Sequence, residues 1–257
     1  MKQTISLLSP SATITMRRAG KLCAILLLHL NNFIKESIST LDINYESEKW
    51  TSINGASSAP LNYSIEGAPP FPRSLCSSRN AIVCHGIPCI SEILKSGDIV
   101  NIDITIKYRN FHSDCSRTFS IGSVLYKHNH LLYVAKKSLK LGILEANPGV
   151  NICNIGTAIA NYIERFKYSI VKDFVGHGIG ISFHMLPFVY HYPNKNYKLL
   201  LKPGMAFTIE PMINLGKENI IQLSNKWTFK TKDQEFSAQY EHSLLITTSG
   251  VEILTSI

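Results

Sequence analysis

Two aspartates in neighbouring strand-like segments are the first residues that indicate chemistry. Asp103 lies in segment 98–106, in which apolar and polar residues alternate, and Asp114 begins segment 114–121. A turn near residues 108–110 joins the segments, so we expect a hairpin with the aspartates directly opposed and their Cβ atoms about 5 Å apart. Buried carboxylates that close repel unless they share a proton or bind a cation, and two metal ions about 3.5–4 Å apart would fit between them. Two solvated aspartates are the alternative, and the pair alone does not decide.

Three further residues able to bind metal stand in unusual surroundings. Three glycines flank His177 within residues 176–180, which is typical of backbone that turns sharply or approaches another group closely. Glu210 ends one apolar segment and Glu241 begins another, and a carboxylate there costs free energy unless it is paired or bound to a metal. A buried salt bridge, or a satisfied core histidine, is the alternative at each position. The complete set is mostly oxygen and suits Mn, Fe or Co better than a thiolate zinc site: Asp103, Asp114, His177, Glu210 and Glu241.

Two more histidines belong to the candidate site. His85 closes an apolar strand just before the turn at residues 86–88, and His184 follows His177 by seven positions. A strand-end histidine that caps a backbone carbonyl is the alternative for His85.

The elements that must position these residues follow an α+β order. Apolar residues at steps of three and four predict an amphipathic helix over 13–38, with Arg17, Arg18 and Lys21 on its exposed side. Residues 40–72 are rich in Ser, Asn, Gly and Pro and are expected to be mostly irregular. The remaining segments are a strand at 81–84, helices at 132–146 and 152–165, and strands near 205–213, 239–247 and 251–254. Helix, strands, two helices and strands could form two similar halves.

Composition bounds the class of protein. The 257 residues, 45% hydrophobic and 17% charged, are ordinary for a folded chain and argue against disorder or a coiled coil. The net charge of +8 is scattered without a long basic run, which favours a basic surface over a dedicated nucleic-acid site. The six cysteines form no Cys-x-x-Cys pair, and the apolar stretch 23–30 is too short to span a bilayer. We therefore expect free thiols, no export, no membrane association and a cytoplasmic location.

Taken together, these residues resemble the type I methionine aminopeptidases. The similar segments occur in order with matching gaps, at 83–88, 98–105, 111–114, 176–184, 201–214 and 237–242, and residues 16–20 resemble the family's opening. The resemblance implies the pita-bread fold, in which two pseudo-symmetric α+β halves surround an antiparallel sheet. It also implies one catalytic domain over residues 1–257, with an N-terminal helix region at about 1–40 and a catalytic core at 80–257.

The resemblance further implies two divalent metal ions per chain, which could be Co, Mn, Fe, Zn or Ni. Asp103 would hold one ion, Asp114 and Glu241 would bridge both, and His177 and Glu210 would complete the other. Glu210 would also transfer a proton during hydrolysis. His184 would stabilise the oxygen of the tetrahedral intermediate, and His85 would contact the scissile amide.

The methionine pocket is implied by matching positions as well. Besides His85 and His184, these positions are Phe71, Cys76, Phe183 and Trp227. The chain departs from the family at several places: Ala68 stands where a pocket tyrosine is expected, and Ile181, Ser182 and Met185 replace residues that include a basic side chain and a glutamate. These departures leave side-chain preference and catalytic rate open.

The implied function is removal of the initiator methionine from nascent polypeptides whose second residue is small. A monomer that associates transiently with ribosomes, without sequence-specific nucleic-acid binding, is expected. An X-Pro aminopeptidase or prolidase is a second interpretation, but those enzymes carry a large additional N-terminal domain. A third is a non-catalytic or weakly active peptide- or ribosome-binding protein of the same fold, although such proteins lose metal ligands and this chain retains all five.

Overall fold

The computed structural model describes residues 5–256, which form four helices and fifteen short strands. The helices are α1 (Pro10–Phe33), α2 (Thr40–Ile53), α3 (Tyr126–Leu144) and α4 (Cys153–Ile163). The strands of the first half are β1 (Ser57–Ser58), β2 (Cys76–Arg79), β3 (Ile82–Cys84), β4 (Ile99–Tyr108) and β5 (Phe111–Ser120). Those of the second half are β6 (Ser169–Ile170), β7 (Gly176–Gly178), β8 (Met185–Val189), β9 (Ala206–Ile209), β10 (Met212–Asn214), β11 (Ile220–Gln222), β12 (Phe229–Thr231), β13 (Ser237–Gln239), β14 (His242–Ile246) and β15 (Val251–Ile253).

Helix α1 confirms the amphipathic pattern of the N-terminal region, with different ends. Ser9 caps it by accepting a hydrogen bond from the Ala12 amide, and Pro10 occupies the first turn, where its missing N–H costs nothing. The apolar stripe is buried, whereas Arg17 faces outward and makes a two-pronged ion pair with Glu252. The helix ends at Phe33, five residues before the expected end.

Helix α2 contradicts the prediction that residues 40–72 are mostly irregular. Ser39 and Asp42 form a capping box, in which each side chain accepts from the backbone amide of the other residue. The helix is polar along much of its length and buries few apolar side chains, which is why hydrophobic periodicity missed it. Residues 54–72 are irregular as expected, apart from β1.

Strands β4 and β5 form the expected hairpin, but the expected register is wrong. A two-residue turn at Arg109 and Asn110, both with positive φ, joins them, which is the geometry of tight hairpin turns. Asp114 is therefore opposite Thr105, and Asp103 is opposite Ser116. The turn lies one residue later than expected, and this shifts the pairing by two. Because side chains alternate across a strand, both aspartates still share one face as diagonal neighbours.

In each half of the molecule, two helices pack on the strands. In the first half, α1 lies against β4 and β5, α2 packs beside α1, and the strand order is β1-β4-β2 with β5 on β4. In the second half, α3 and α4 pack together against strands of a five-stranded sheet, β15-β14-β9-β7-β8, and of a three-stranded sheet, β13-β10-β6. A further sheet, β11-β12-β3, pairs strands from both halves.

Two large apolar clusters match these halves. One joins α1 to β4 and β5, with Leu26, Leu30 and Ile104 almost fully buried. The other joins α3 and α4 to the second half, with Ile155 and Phe207 at its centre. Within residues 5–256, no helix combines the length and the apolar run that crossing a lipid bilayer requires.

Candidate metal centre and active site

A cavity of about 880 Å³ lies where the strands of the two halves meet. Segments from both halves contribute to its wall, because β4 and β5 come from the first half and β7 and β9 from the second. The cavity brings together all eleven site residues predicted from the sequence: Phe71, Cys76, His85, Asp103, Asp114, His177, Phe183, His184, Glu210, Trp227 and Glu241.

The tightest group of possible metal ligands is Asp114, His177 and Glu241, whose ligand atoms all lie within 4.8 Å of one another. Glu210 Oε1 is 3.6 Å from His177 Nε2, and Asp114 Oδ2 is 3.8 Å from the same nitrogen. These separations exceed a hydrogen bond and match groups that share a cation. Asp103 lies beside Asp114 on the same face of the hairpin.

The His177 ring is oriented as a ligand would be. Its Nδ1 is 3.0 Å from the Gly178 carbonyl oxygen, to which it donates, so Nε2 keeps a free lone pair toward the carboxylates. The flanking glycines have a steric cause, since a Cβ at Gly176 or Gly178 would collide with the carbonyl of Thr208 or of Leu186. Only glycine lets the neighbouring strands approach β7 this closely.

Hydrogen bonds from the surrounding strands fix the acidic side chains. Glu210 accepts from Thr208 Oγ1 at 2.8 Å and from Gln239 Nε2 at 3.2 Å. Asp114 accepts from Thr105 Oγ1 at 3.0 Å. Among residues 5–256 the buried Oε1 of Glu241 finds no hydrogen-bond partner, and a buried carboxylate oxygen without one is costly unless a cation binds it.

Burial raises the pKa of every carboxyl group in the cluster, and neighbouring carboxylates raise it further in all of them except Asp103. Burial raises the pKa of Glu210 to about 8 and that of Asp103 to about 6. The pKa values of Asp114 and Glu241 lie well above the usual range because of burial first and neighbouring carboxylates second. Four carboxyl groups this close together can all be ionised near neutral pH only when positive charge lies among them. This donor set therefore fits divalent cations.

The three site histidines are neutral near pH 7. Burial lowers the pKa of His85 and of His177 to about 4. An edge of the His184 ring reaches the open cavity, yet the surrounding protein atoms and then His177 lower its pKa to about 3. These rings therefore act through lone pairs and N–H groups instead of through positive charge.

The expected methionine pocket is a compact aromatic cluster. Phe71 and Trp227 meet edge to face at 5.3 Å, and Cys76 packs with them. Phe183 stacks on His184 with ring centres 4.1 Å apart. Phe71, Cys76 and Trp227 are all buried, so this end of the cavity is apolar and enclosed.

A tyrosine reaches the pocket after all, which corrects the expectation drawn from Ala68. The hydroxyl of Tyr63 lies 2.7 Å from His184 Nδ1, and its ring is 5.1 Å from Phe183. Tyr63 and Phe71 pair through their backbones, since the Phe71 amide donates to the Tyr63 carbonyl at 2.8 Å, and this pairing closes a loop over residues 64–70. The position of Tyr63 was missed because the motif was matched without allowing for that loop. Ala68 itself packs at the edge of the pocket cluster.

Sequence reasoning also missed the residues that support the ligands. Thr105, Thr208 and Gln239 donate to the acids, and His191 Nε2 accepts from the Glu210 amide at 3.1 Å. The first three each lie two positions from a candidate ligand, and Thr105 is also opposite Asp114 in the hairpin. This spacing would have indicated them once the register was known. His191 carries no such signal.

Comparison with known proteins identifies the family. The model of metallopeptidase family M24 matches residues 15–248. This chain belongs to metallopeptidase family M24. "Methionine aminopeptidase A" of Synechocystis sp. is 46% identical over 255 residues, covering 99% of each chain. The crystal structure of the methionine aminopeptidase from Rickettsia prowazekii superposes with a TM-score of 0.94 at 39% identity, covering 98% of this chain and 100% of that one.

The structural comparison also confirms the pita-bread α+β fold. A prolidase from Pyrococcus furiosus shares that fold with a TM-score of 0.75, but at 20% identity the likeness concerns the fold alone. This M24 metallopeptidase covers only 65% of the prolidase chain. The comparison therefore favours the methionine aminopeptidase resemblance over the X-Pro interpretation.

Proposed function

We propose that this M24 metallopeptidase removes the N-terminal methionine from nascent polypeptides whose second residue is small. The observation that carries the proposal is the joining of two features in one cavity, a buried acidic cluster and an enclosed aromatic pocket. An unbranched thioether side chain fits an apolar pocket of aromatic rings and a cysteine. Relatives named methionine aminopeptidase match nearly the whole chain, which supports the same activity.

Two divalent ions would be held by Asp103, Asp114, His177, Glu210 and Glu241. The unpartnered Glu241 oxygen and the free Nε2 of His177 support this assignment. When bound, the ions supply Lewis-acid polarisation and an activated water. Mn, Fe, Co, Zn and Ni all suit a site of carboxylates and imidazole.

Glu210 has the position and the surroundings of a proton-transfer group. Thr208 and Gln239 fix its two oxygens, and its Oε1 lies 3.6 Å from His177 Nε2, within the candidate ligand cluster. A carboxylate held in place beside the reacting groups can accept a proton and release it again. We assign to it the transfer of a proton from the attacking water to the leaving amine.

Tyr63 sets the tautomer of His184. A neutral imidazole that accepts the Tyr63 hydroxyl at Nδ1 carries its own proton on Nε2. That N–H would donate to the oxygen that becomes negative as the peptide carbonyl is attacked. His85, also neutral and held between Phe174 and Trp227, would contact the scissile amide.

The cellular setting follows from the substrate. A substrate that emerges from the ribosome places the enzyme in the cytoplasm, and the net charge of +8 favours transient contact with anionic ribosomal surfaces. We propose a monomer in which residues 1–257 act as one catalytic domain.

Peptide hydrolysis by the metal-free protein, titrated with Mn, Fe or Co, tests the proposal. We expect methionine release from Met-Gly-Met-Met and none from Met-Leu peptides. Asp114→Asn should abolish activity and weaken metal binding measured by calorimetry, whereas the exposed-acid control Glu218→Gln should change neither. Metal binding without hydrolysis under any condition would refute the proposal and favour a non-catalytic peptide-binding protein.

A further inference from the structure

An exposed phenylalanine stands beside the candidate metal ligand His177. Phe188 on β8 is directly opposite His177 on β7. Directly opposed residues of an antiparallel pair project from the same face of the sheet, so Phe188 shares the face of β7 and β8 that carries His177. Phe188 is 44% exposed and lines the cavity. An aromatic ring this open to water, at the wall of a binding cavity, is available to a ligand.

Three more apolar side chains line the cavity at this pair of strands: Met185 at the start of β8, and two that stand two positions before His177 and before Phe188. Val175 directly precedes β7, and Leu186 lies on β8 two positions before Phe188, and both are half-buried. We name Val175, Leu186 and Phe188 the outer ledge. Its side chains offer no charge and no hydrogen-bonding group, so they discriminate between ligands through apolar contact alone.

The outer ledge is distinct from the pocket proposed for methionine. Phe71 and Trp227 are 2% and 5% exposed, whereas Phe188 is 44% exposed. A peptide whose first side chain fills the enclosed end must leave the cavity through its open side. The rest of the peptide therefore passes residues that are both exposed and adjacent to the ligand cluster, and Phe188 has both properties.

We propose that the outer ledge binds the side chain of the third substrate residue and makes the enzyme prefer apolar residues there. This inference rests on the proposed aminopeptidase function and adds a second determinant of substrate choice. The second residue lies at the scissile bond, among His85 and the ligands, so the third is the first residue free to reach the ledge. Partial burial of one apolar side chain gives a preference of about tenfold.

The test compares kcat/KM for Met-Ala-Leu-Ser and Met-Ala-Asn-Ser, whose third residues have similar shape but differ in polarity. We expect the native enzyme to favour the leucine peptide about tenfold. Phe188→Gln should reduce the ratio to about two, mainly through KM, and Phe188→Leu should keep most of it. Tyr133→Gln, on an exposed aromatic of α3, is the matched control and should leave the ratio unchanged.

A second measurement does not depend on turnover. Calorimetric titration of the protein with the product peptides Ala-Leu-Ser and Ala-Asn-Ser should show the same order of affinity and the same loss in Phe188→Gln. Cleavage of both Met-Ala peptides at equal rates, or a preference unchanged in Phe188→Gln, would overturn the role of the ledge while leaving the aminopeptidase function intact. Failure to cleave either peptide, with product binding still selective, would instead refute the proposed function.

Discussion

Removing divalent cations from this enzyme should make its stability fall with rising pH just above neutrality. The folded chain holds Glu210 with a pKa of about 8, and Asp114 and Glu241 with pKa values well above the usual range. The unfolded chain has lost these protons by about pH 5. Because the folded state then binds more protons than the unfolded state, each step upward in pH favours unfolding until the folded groups ionise.

The histidines decide which pH range shows this effect. Their pKa values are lowered in the folded state, so below about pH 6.5 these rings bind more protons in the unfolded state than in the folded state. Stability therefore rises with pH in that range, which hides the opposite effect of the acids. Between pH 6.5 and 7.5 these rings still oppose the acids, and only above about pH 7.5 are they neutral in both states. The histidines with a pKa of about 3 to 4 are His85, His177, His184, His191 and His242.

The size of the fall follows from the acids together, less the opposing effect of the histidines. Between pH 7 and 8, loss of a proton with a pKa of about 8 from Glu210 lowers the free energy of unfolding by about 1 kcal/mol, while the histidines raise it by about 0.7 kcal/mol. In a chain of this size 1 kcal/mol moves Tm by about 2–4 °C, so Glu210 alone gives a net fall of only about 1 °C, and each further acid that loses a proton over this range adds up to about 1.4 kcal/mol. Asp114 and Glu241 can only increase the fall, because their pKa values are also raised.

Differential scanning calorimetry on chelator-treated protein at pH 7, 7.5 and 8 measures this slope. The Mn-saturated protein should show no fall, because the cations keep the carboxylates ionised at each pH, and Glu210→Gln without metal should show a smaller one. A metal-free Tm that stays level or rises over this range would mean that the acids are already ionised in the folded state. The electrostatic account of the site would then be wrong.

Three substitutions test separate parts of the structure. Gly178→Ala should lower the free energy of unfolding by about 1–3 kcal/mol in urea titration because its Cβ meets a carbonyl. The control Gly180→Ala, whose Cβ makes only ordinary van der Waals contacts, should be nearly neutral. Tyr63→Phe should lower kcat about tenfold, by freeing the His184 tautomer, without changing metal affinity by calorimetry; an unchanged kcat would remove Tyr63 from the mechanism. Ser39→Ala should lower Tm by about 2–4 °C through loss of its cap, and an unchanged Tm would show that packing alone holds α2.

The candidate ligands could be selected from the sequence because each stands in a sequence setting with a physical cost. Glu241 begins an apolar strand, and His177 stands between glycines that the neighbouring strands require. The amphipathic pattern of α1 and the alternation along β4 were equally direct, since in each an apolar face packs into the core and polar residues occupy the other face.

The features that escaped prediction depend on details outside periodicity. The β4–β5 register is set by which two residues take positive φ, and the sequence offered neighbouring choices around Arg109 and Asn110. Helix α2 is held by a capping box at Ser39 more than by an apolar stripe, and its signal is four residues long. Tyr63 is brought to the pocket by a loop whose closure depends on tertiary contacts, including the Trp227 indole donating to the Pro69 carbonyl at 2.8 Å.

Hydrogen bonds between the two halves hold the acidic residues in place independently of any cation. Ser243 Oγ donates to the Asp114 carbonyl at 2.8 Å and accepts from the Asp114 amide at 2.9 Å. The Gln239 carbonyl accepts from Asn101 and from Thr118 at 2.9 and 2.7 Å. Because the backbone on both sides of the cavity is fixed in this way, the carboxylates converge despite their repulsion. The fold therefore maintains an electrostatically unfavourable cluster, and relief of that repulsion contributes to the free energy of cation binding.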